Sequence, residues 1–199
     1  VRYTVTPRPT AHKFDVMLDI HSPTPEGQVV SLPAWIPGSY MIRAFAKHIV
    51  ALDATADGRP IAATKRDKQT WVLAPTKGPV RVAYSVHAWD LSVRKAHLDA
   101  THGYFNGTSV FLRVHGADHA PCDVVLAKPE GEAYGDWRVA TTLPRVGGEA
   151  LGFGDFRARD YDELIDCPVE MGTFVHGTFE AGGIPILSFT LQHRDGHSV

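Results

Sequence analysis

A short polar run at residues 106–109 could present hydrogen-bonding groups to a ligand. It is the NGTS of the stretch YFNGTSVFLR, which spans residues 104–113. Asn-Gly is typical of a turn, because both residues tolerate a positive φ. A polar turn between aromatic and aliphatic neighbours is a place where a rigid scaffold can bind a ligand. A simple tight turn without a ligand is the alternative interpretation.

Eleven histidines raise the question of a metal site. A zinc peptidase requires two histidines one helical turn apart with a glutamate between them, His-Glu-x-x-His, and this pattern is absent. His115 and His119 have the spacing, but the nearby glycine and proline disfavour a helix, and no glutamate follows His115. His97 and His102 are five residues apart in a doubtful helix. We interpret all four as surface or hydrogen-bonded histidines and predict no metal site in this chain.

Several acidic residues in the last quarter of the chain could include a carboxylate pair, such as glycoside hydrolysis requires. They are Asp160, Asp162, Glu163, Asp166 and Glu170. Closeness in sequence does not place them in one cleft, and acids at a helix start are favoured by the helix dipole. The default interpretation of residues 160–166 is one or two solvated helical turns. A Gly-x-Ser-x-Gly nucleophile elbow is absent, and we predict no catalytic residue.

Cys122 and Cys167 are the only cysteines among 199 residues. Two cysteines in a chain of this size do not form a disulfide scaffold, and neither belongs to a Cys-x-x-Cys pair. We expect two buried or half-buried free thiols.

Composition is that of an ordinary globular protein, with 44% hydrophobic and 21% charged residues. The formal net charge is -2 and no basic run is present, which argues against a nucleic-acid or membrane partner. No apolar stretch approaches the length of a membrane span. The sequence begins at Val1 and shows no signal-peptide pattern. The compartment is unknown, either cytoplasmic or periplasmic.

Alternating hydrophobicity predicts strands along most of the chain. The clearest case is residues 13–20, which we expect to form a first hairpin with residues 29–35. A final hairpin is expected from residues 169–179 and 184–193. Further strands are expected at residues 2–6, 46–56, 61–64, 70–73, 79–89, 104–114, 122–126 and 137–140.

Three stretches depart from this alternation. Residues 35–43 are dense in large side chains, and we expect them to plug one end of the core. Residues 90–101 are the best helical candidate of the first half, with an irregular loop as the alternative. Residues 147–154 are rich in glycine and predict a mobile loop or hairpin. Together the elements indicate an all-β fold, an antiparallel sandwich or saddle with a few short helical turns, in one domain over residues 1–199.

Four stretches in chain order carry a resemblance to one family. They are LPAWIPGSYMIR at residues 32–43, DLSVR at 90–94, GYFNGTSVFLRV at 103–114 and DYDELIDCPVEMGTF at 160–174. Together they resemble the N-terminal β domain of the bacterial glycyl aminopeptidase family of zinc metallopeptidases, over nearly the whole chain. In that family a helical catalytic domain with the His-Glu-x-x-His zinc motif follows, and a PDZ domain commonly comes next. The resemblance implies that zinc belongs to the catalytic domain and that this chain itself holds no cofactor.

The resemblance also implies a role in substrate binding. The domain is similar to the saddle-shaped β domain of the broader zinc aminopeptidases, which closes one side of the active-site cleft. A loop of that domain helps to bind the free amino terminus of the substrate, and it corresponds to residues 105–109 here. Asn106, Gly107 and Thr108 are then expected to bind the substrate, with acceptor atoms for its ammonium group. Glu170 is expected as an additional carboxylate.

The expected partners are the chain's own C-terminal catalytic domain and a peptide substrate. Tyr40 and Arg43 are expected at the surface between the domains, and the isolated chain is expected to hydrolyse nothing. Two other functions stay open: a stand-alone β module that binds peptide or carbohydrate, and a structural domain that only docks its neighbour. An exposed apolar patch would favour an accessory domain, whereas a charged surface with its own pocket would favour the stand-alone module.

Overall fold

The structure, a computed structural model, describes residues 1–39 and 41–191. Nearly half of this backbone forms short strands, because alternating side chains give each strand one apolar face. The strands of the first half are β1 (Arg2–Arg8), β2 (Lys13–Ile20), β3 (Val29–Ser31), β4 (Ile49–Ala56), β5 (Arg59–Ile61), β6 (Ala63–Lys65), β7 (Thr70–Leu73) and β8 (Val80–His87). Those of the second half are β9 (Ala96–Leu98), β10 (His102–Phe105), β11 (Arg113–Val114), β12 (Cys122–Leu126), β13 (Arg138–Thr141), β14 (Gly154–Ala158), β15 (Val169–Gly172), β16 (Phe174–Ala181) and β17 (Ile184–Leu191).

Helical structure within these residues is confined to single turns and one short helix. The 3₁₀ turns are Pro9–Ala11, Phe45–His48, Gly107–Ser109 and Glu132–Tyr134. The helix, α1 (Tyr161–Asp166), confirms the helical turns expected at residues 160–166. Asp160 caps its start, because its Oδ1 accepts a hydrogen bond from Glu163 N at 2.8 Å. In the described part of the chain no helix is long and apolar enough to cross a membrane.

The largest sheet has seven strands in the order β14-β12-β1-β2-β8-β4-β5. Its inner face is apolar: Phe14 and Leu18 of β2 are fully buried, whereas Asp19 lies on the outer face and pairs with Arg81. Neighbouring strands are antiparallel except β1 and β12, which run parallel. The antiparallel prediction therefore has this one exception, since two strands so far apart in sequence are not joined by a hairpin.

A four-stranded sheet, β13-β15-β10-β9, lies across the core from β2. Phe105 of β10 contacts Phe14 of β2, with ring centroids 5.1 Å apart. A second four-stranded sheet, β11-β3-β7-β6, adds Val30 and Trp71 to the same hydrophobic core. β16 and β17 form a separate two-stranded sheet. The all-β prediction with short helical turns is thereby confirmed.

Residues 110–112 form a buried segment that belongs to no strand. Its three carbonyls accept hydrogen bonds from three tyrosine hydroxyls that come from β1, β8 and α1. The pairs are Tyr84 to Val110 (2.9 Å), Tyr161 to Phe111 (2.8 Å) and Tyr3 to Leu112 (2.7 Å). Leu112 N in turn donates to the Tyr84 hydroxyl at 3.2 Å. Burial raises the pKa of all three tyrosines, so they stay protonated and can donate.

The expected first hairpin of residues 13–20 with 29–35 is wrong. β2 pairs with β1 and β8, whereas β3 pairs with β7 and β11 in another sheet. β3 is also shorter than expected, since it ends at Ser31. Alternation identifies the apolar face of a strand, but it does not identify the strand that lies beside it.

Two strands that were expected to be continuous are interrupted. The strand expected at residues 104–114 breaks after Phe105 at the 3₁₀ turn Gly107–Ser109 and at the buried segment. In the final hairpin, Gly172 with φ 152° ends β15, and the pairing of β16 with β17 is as expected up to Leu191. Residues 192 and 193 lie outside the described residues. The strand expected at residues 122–126 is confirmed as β12.

The helix expected at residues 90–101 is wrong, and the alternative of an irregular loop holds for residues 90–95. Asp90 accepts a hydrogen bond from Ser92 N at 3.0 Å and forms an ion pair with Lys95. These contacts close a tight loop directly before β9, and local side-chain bonds of this kind compete with helix formation.

The plug expected from Trp35, Ile36, Tyr40, Met41 and Phe45 is confirmed only in part. Phe45, just beyond the run, is buried in the core. Ile36 is buried, but Trp35, Met41 and Ile42 are 54%, 67% and 76% exposed. Tyr40 lies outside the described residues. The two cysteines are buried free thiols, as expected, and burial raises the pKa of Cys122 to about 11.

The buried segment generates a stability prediction. Tyr84→Phe leaves two buried backbone groups unpaired, Val110 O and Leu112 N, and should lower the free energy of unfolding by about 2–4 kcal/mol. Tyr3→Phe leaves only Leu112 O unpaired and should cost about 1–2 kcal/mol. Urea denaturation of the two variants and the wild type measures both values. Equal effects, or effects near zero, would contradict this account of the segment.

Candidate functional site

The polar run at residues 106–109 forms a compact 3₁₀ turn. Asn106 is extended, with φ −83° and ψ 133°, and its Oδ1 accepts hydrogen bonds from Thr108 N at 3.2 Å and Thr108 Oγ1 at 2.5 Å. The Ser109 hydroxyl donates to Asn106 O at 2.7 Å. The expected turn is confirmed, but neither Asn106 nor Gly107 has a positive φ. The turn therefore rests on side-chain capping by Asn106.

Gly107 is required by a close approach to α1. A Cβ on this residue would lie 2.7 Å from Ile165 Cα and 2.8 Å from Leu164 O. Both distances are shorter than real contacts allow, so any larger residue must displace the helix. The absence of a side chain at Gly107 thus seats the loop directly on α1.

The polar side chains of the loop differ in their exposure to solvent. Thr108 is 0% and Ser109 3% exposed, whereas Asn106 remains partly exposed. The expected acceptor atoms are largely engaged within the loop, since the Thr108 hydroxyl donates to Asn106 Oδ1. The amide nitrogen of Asn106, Nδ2, makes no hydrogen bond to the described residues. Asn106 therefore presents a donor to its surroundings, and Thr108 holds it in place.

Glu170 lies on β15, directly opposite Tyr104 of β10 and Ala140 of β13. Tyr104 also faces His97 of β9 on its other side. Directly opposed residues share a sheet face, so these four side chains form one row across the sheet. We call this row, His97, Tyr104, Glu170 and Ala140, the Glu170 face.

The Glu170 carboxyl is largely buried, and burial raises its pKa to about 8. Its Oε1 is fully buried and has no hydrogen-bond partner among the described residues. A carboxyl in such surroundings is held neutral at pH 7 unless a cation approaches it. Glu170 is therefore poised to accept a positively charged group.

Asn106 joins the Glu170 face at its edge. Asn106 N donates to Lys95 O at 2.9 Å, which extends the pairing of β10 with β9 by one step. Because alternate residues of an extended chain share a face, Asn106 lies on the same side as Tyr104. The structure thus brings Asn106 and Glu170 to one face, with Tyr104 between them.

Tyr104 is a site residue that sequence reasoning missed. Its hydroxyl donates to Val93 O at 2.6 Å and ties the loop at residues 90–95 across the Glu170 face. Burial and then the nearby Glu170 raise its pKa. Its position two residues before Asn106, at the strand period, was the available signal.

A small cavity lies beside the loop and is lined in part by His48, Asp90, Lys95 and Ser109. Asp90 and Lys95 neutralise each other's charge in an ion pair at the wall of this cavity. Burial, and then Lys47 and Lys95, lower the pKa of His48, whose Nε2 is buried without a partner among the described residues.

Two segments of the chain carry exposed apolar side chains. Leu91 and Val93 of the loop that crosses the Glu170 face are 73% and 69% exposed. Trp35, Met41 and Ile42, described above, precede the 3₁₀ turn Phe45–His48, which contacts the turn of Gly107. Exposed apolar side chains are candidates for contact with a partner where they form a contiguous patch.

The other candidate groups from the sequence do not join this site. Asp160 and Glu163 act in capping α1, as described, and provide no carboxylate pair on the Glu170 face. His115 Nε2 lies 2.8 Å from Ser31 Oγ and is hydrogen-bonded, as expected.

Comparison with known proteins decides the family. Residues 2–173 match the model of the peptidase M61 N-terminal domain. This chain belongs to the peptidase M61 N-terminal domain family. The M61 domain is also similar to the crystal structure of an aminopeptidase N family protein from Idiomarina loihiensis, with 42% identity and a TM-score of 0.89. That match covers 94% of this chain and 32% of the other, so the M61 domain spans about a third of its relative.

More distant structures also align with the M61 domain. Yeast LTA4 hydrolase in complex with bestatin aligns at 8% identity and a TM-score of 0.46, over 89% of this chain and 29% of that one. Native leukotriene A4 hydrolase from Saccharomyces cerevisiae aligns at 9% identity and a TM-score of 0.47, over 88% and 29%. A comparison with curated proteins finds no match.

The close approach of Gly107 to α1 predicts a large effect of one methyl group. Gly107→Ala should lower the free energy of unfolding of the M61 domain by about 2 kcal/mol or more, because the new Cβ forces backbone to move. Gly147→Ala is the matched control, since a Cβ there meets nothing within 4 Å. Thermal or urea denaturation compares the two variants. A Gly107→Ala variant as stable as Gly147→Ala would show that the loop does not press on α1.

Burial of Glu170 predicts a pH-dependent stability difference. A raised acid pKa means that the folded state keeps its proton while the unfolded chain ionises near its ordinary value of 4.5. As the pH rises from roughly 5 to 8, the free energy of unfolding of the wild type should fall, relative to that of Glu170→Gln, by up to about 1.4 kcal/mol for each pH unit. Above about pH 8 the difference between the two proteins should not change further. Urea denaturation of both proteins at several pH values measures this difference. A difference that stays constant with pH would mean that Glu170 ionises normally in the folded state.

Proposed function

We propose that this M61 domain is the non-catalytic N-terminal part of a zinc-dependent, glycyl-type aminopeptidase. In this role it packs on its own catalytic domain and helps to bind the amino terminus of a peptide substrate. The observation that carries the proposal is the buried carboxyl of Glu170, which shares a sheet face with Asn106 and whose Oε1 has no hydrogen-bond partner in the described part of the chain. The 42% identical structure of an aminopeptidase N family protein supports the enzyme class.

Glu170 and Asn106 can bind two different groups at the amino terminus of a substrate, its ammonium group and its first peptide carbonyl. A free amino terminus is an ammonium group with donors only, and Glu170 supplies a buried acceptor that becomes ionised when the cation binds. Asn106 Oδ1 is engaged with Thr108, so the outward group is the Nδ2 donor, which suits the first peptide carbonyl. Gly107 and Thr108 contribute by seating and holding Asn106.

The catalytic domain is the partner that fits the exposed apolar surface. The relative is about three times as long as the matched region, so a long segment of polypeptide follows or surrounds the corresponding domain there. Leu91, Val93 and Ile42 are each more than two-thirds exposed, and Leu91 and Val93 belong to the loop that Tyr104 holds at the Glu170 face. A neighbouring domain that covers them would also close the Glu170 face into a cleft.

Zinc enters this scheme only through the partner domain. A catalytic zinc of this enzyme class needs the His-Glu-x-x-His pattern, which the 199 residues lack. The metal would polarise the peptide carbonyl and activate water there. The residues of the M61 domain orient the substrate by its amino terminus and exclude water from one side.

The test uses the full-length enzyme and glycyl substrates with a free or an acetylated amino terminus. Glu170→Gln should lower kcat/KM about 10- to 100-fold for the free amine, as expected for a lost hydrogen bond to a charged group. It should hardly affect the acetylated substrate, which carries no ammonium. Glu149→Gln, a change at an exposed glutamate, is the matched control.

The pattern of the kinetics distinguishes the functions. Unchanged kcat/KM in a folded Glu170→Gln enzyme would leave the domain a structural role only. A natural protein of this length without zinc or peptidase activity would contradict the aminopeptidase proposal as a whole and favour a stand-alone binding module.

A further inference from the structure

The hairpin of β9 and β10 brings three metal-ligating side chains together. His97 lies on β9 and Asp99 directly follows that strand. His102 faces Asp99 across the turn, where Asp99 N donates to His102 O at 3.0 Å. Each side chain offers one ligand atom, and these atoms all lie within 4.8 Å of one another. Small side-chain rotations suffice to bring such atoms onto one ion.

We propose that His97, Asp99 and His102 bind a divalent transition-metal ion of the zinc class. Two imidazoles and one carboxylate form a donor set that zinc takes in proteins, and three protein ligands leave a coordination position for water or another group. The proposal rests on this hairpin alone and does not depend on the proposed aminopeptidase role.

Asp99 uses one carboxylate oxygen within the turn and leaves the other available to a metal ion. Its Oδ1 accepts from Thr101 N and Thr101 Oγ1, each at 2.6 Å, and from His102 N at 3.0 Å. Its Oδ2 takes no part in the turn and lies 3.2 Å from His97 Nε2. Burial acts to raise the pKa of Asp99, but the hydrogen bonds from Thr101 and His102 outweigh it and hold the pKa well below its usual range. The carboxylate is therefore ionised, as a metal ligand must be.

The two imidazoles are held in fixed positions before any ion binds. The His97 ring lies between Trp89 and His102, with ring centroids 5.3 Å and 4.8 Å away. Packing of this kind lowers the entropy that ligand side chains lose on binding. The site is thus preorganised by stacking on one side and by the Asp99 turn on the other.

Thr101 sets the protonation of His102. The Thr101 hydroxyl gives its proton to Asp99, so it can only accept from His102 Nδ1, which lies 3.1 Å away. A neutral His102 then carries its lone pair on Nε2. A histidine whose other nitrogen donates to a fixed oxygen is the usual arrangement around protein-bound metals.

His97 provides a second, independent observation at this hairpin. Its side chain is 6% exposed, and its Nδ1 is buried without a hydrogen-bond partner among the described residues. A buried polar atom without a partner indicates an absent ion or water.

The first measurement is the metal content of the full-length protein after equilibration with zinc and removal of excess ion. His102→Gln should bind about one zinc ion per chain fewer than the wild type, and His97→Gln likewise. His119→Gln, which removes an exposed histidine outside the hairpin, is the control and should bind as much zinc as the wild type. Equal zinc content in all four proteins would overturn the proposal.

A spectroscopic measurement tests the same site without changing a ligand residue, in case the ligand variants fold poorly. Co²⁺ has unpaired electrons and quenches nearby tryptophans, so it should quench Trp89, which stacks on His97. The quenched fraction of the fluorescence should fall in Trp89→Phe, which keeps all three ligands. Equal quenching in the wild type and Trp89→Phe would place the ion elsewhere and reject this site.

Discussion

Three tyrosine hydroxyls hold together the centre of this domain. Val110, Phe111 and Leu112 cross the core outside any strand, where unpaired backbone groups would be costly. Their carbonyls accept from Tyr84, Tyr161 and Tyr3, two of their N–H groups donate to Gly107 O, and Leu112 N donates to Tyr84. All six backbone groups are thus satisfied without a ladder. The hydroxyls come from two strands of the large sheet and from α1, so the segment connects these elements.

The candidate site depends on that segment, because the turn of residues 107–109 is its N-terminal continuation. Gly107 meets α1 on one side, and its carbonyl supports the segment on the other, so Asn106 is fixed between rigid elements. Glu170 reaches the same face through β15, which pairs with β10. A polar face built on strands holds its groups more precisely than a free loop does. Leu91 and Val93, in the loop that Tyr104 holds at this face, are exposed apolar side chains that a partner can cover.

Local patterns in the sequence predicted local structure well and long-range pairing poorly. The alternation of residues 13–20 and 122–126 identified β2 and β12, and the acids of residues 160–166 identified α1. The strands that pair with β2 could not be predicted from the sequence, because alternating hydrophobicity carries no information about which strand lies beside it. The helix predicted at residues 90–101 was wrong because Asp90 and Asp99 form local turns. The sequence therefore did not predict that His97, Asp99 and His102 lie on one hairpin. Asn106 was found through its turn signal, whereas the burial of Glu170 depends on neighbours from other strands.

The parallel pairing of β1 with β12 has a consequence for the time order of folding. β1 occupies a central position in the large sheet, but its neighbour on one side begins only at Cys122, and the last strand of that side ends at Ala158. Contacts between residues so far apart form slowly, since a long loop must close first. During synthesis, β1 therefore cannot pair with β12 until most of the domain has left the ribosome. Until then β1, β2, β8 and β4 can assemble only as a partial sheet with one side exposed, and this is the stage at which aggregation or chaperone binding would compete with folding.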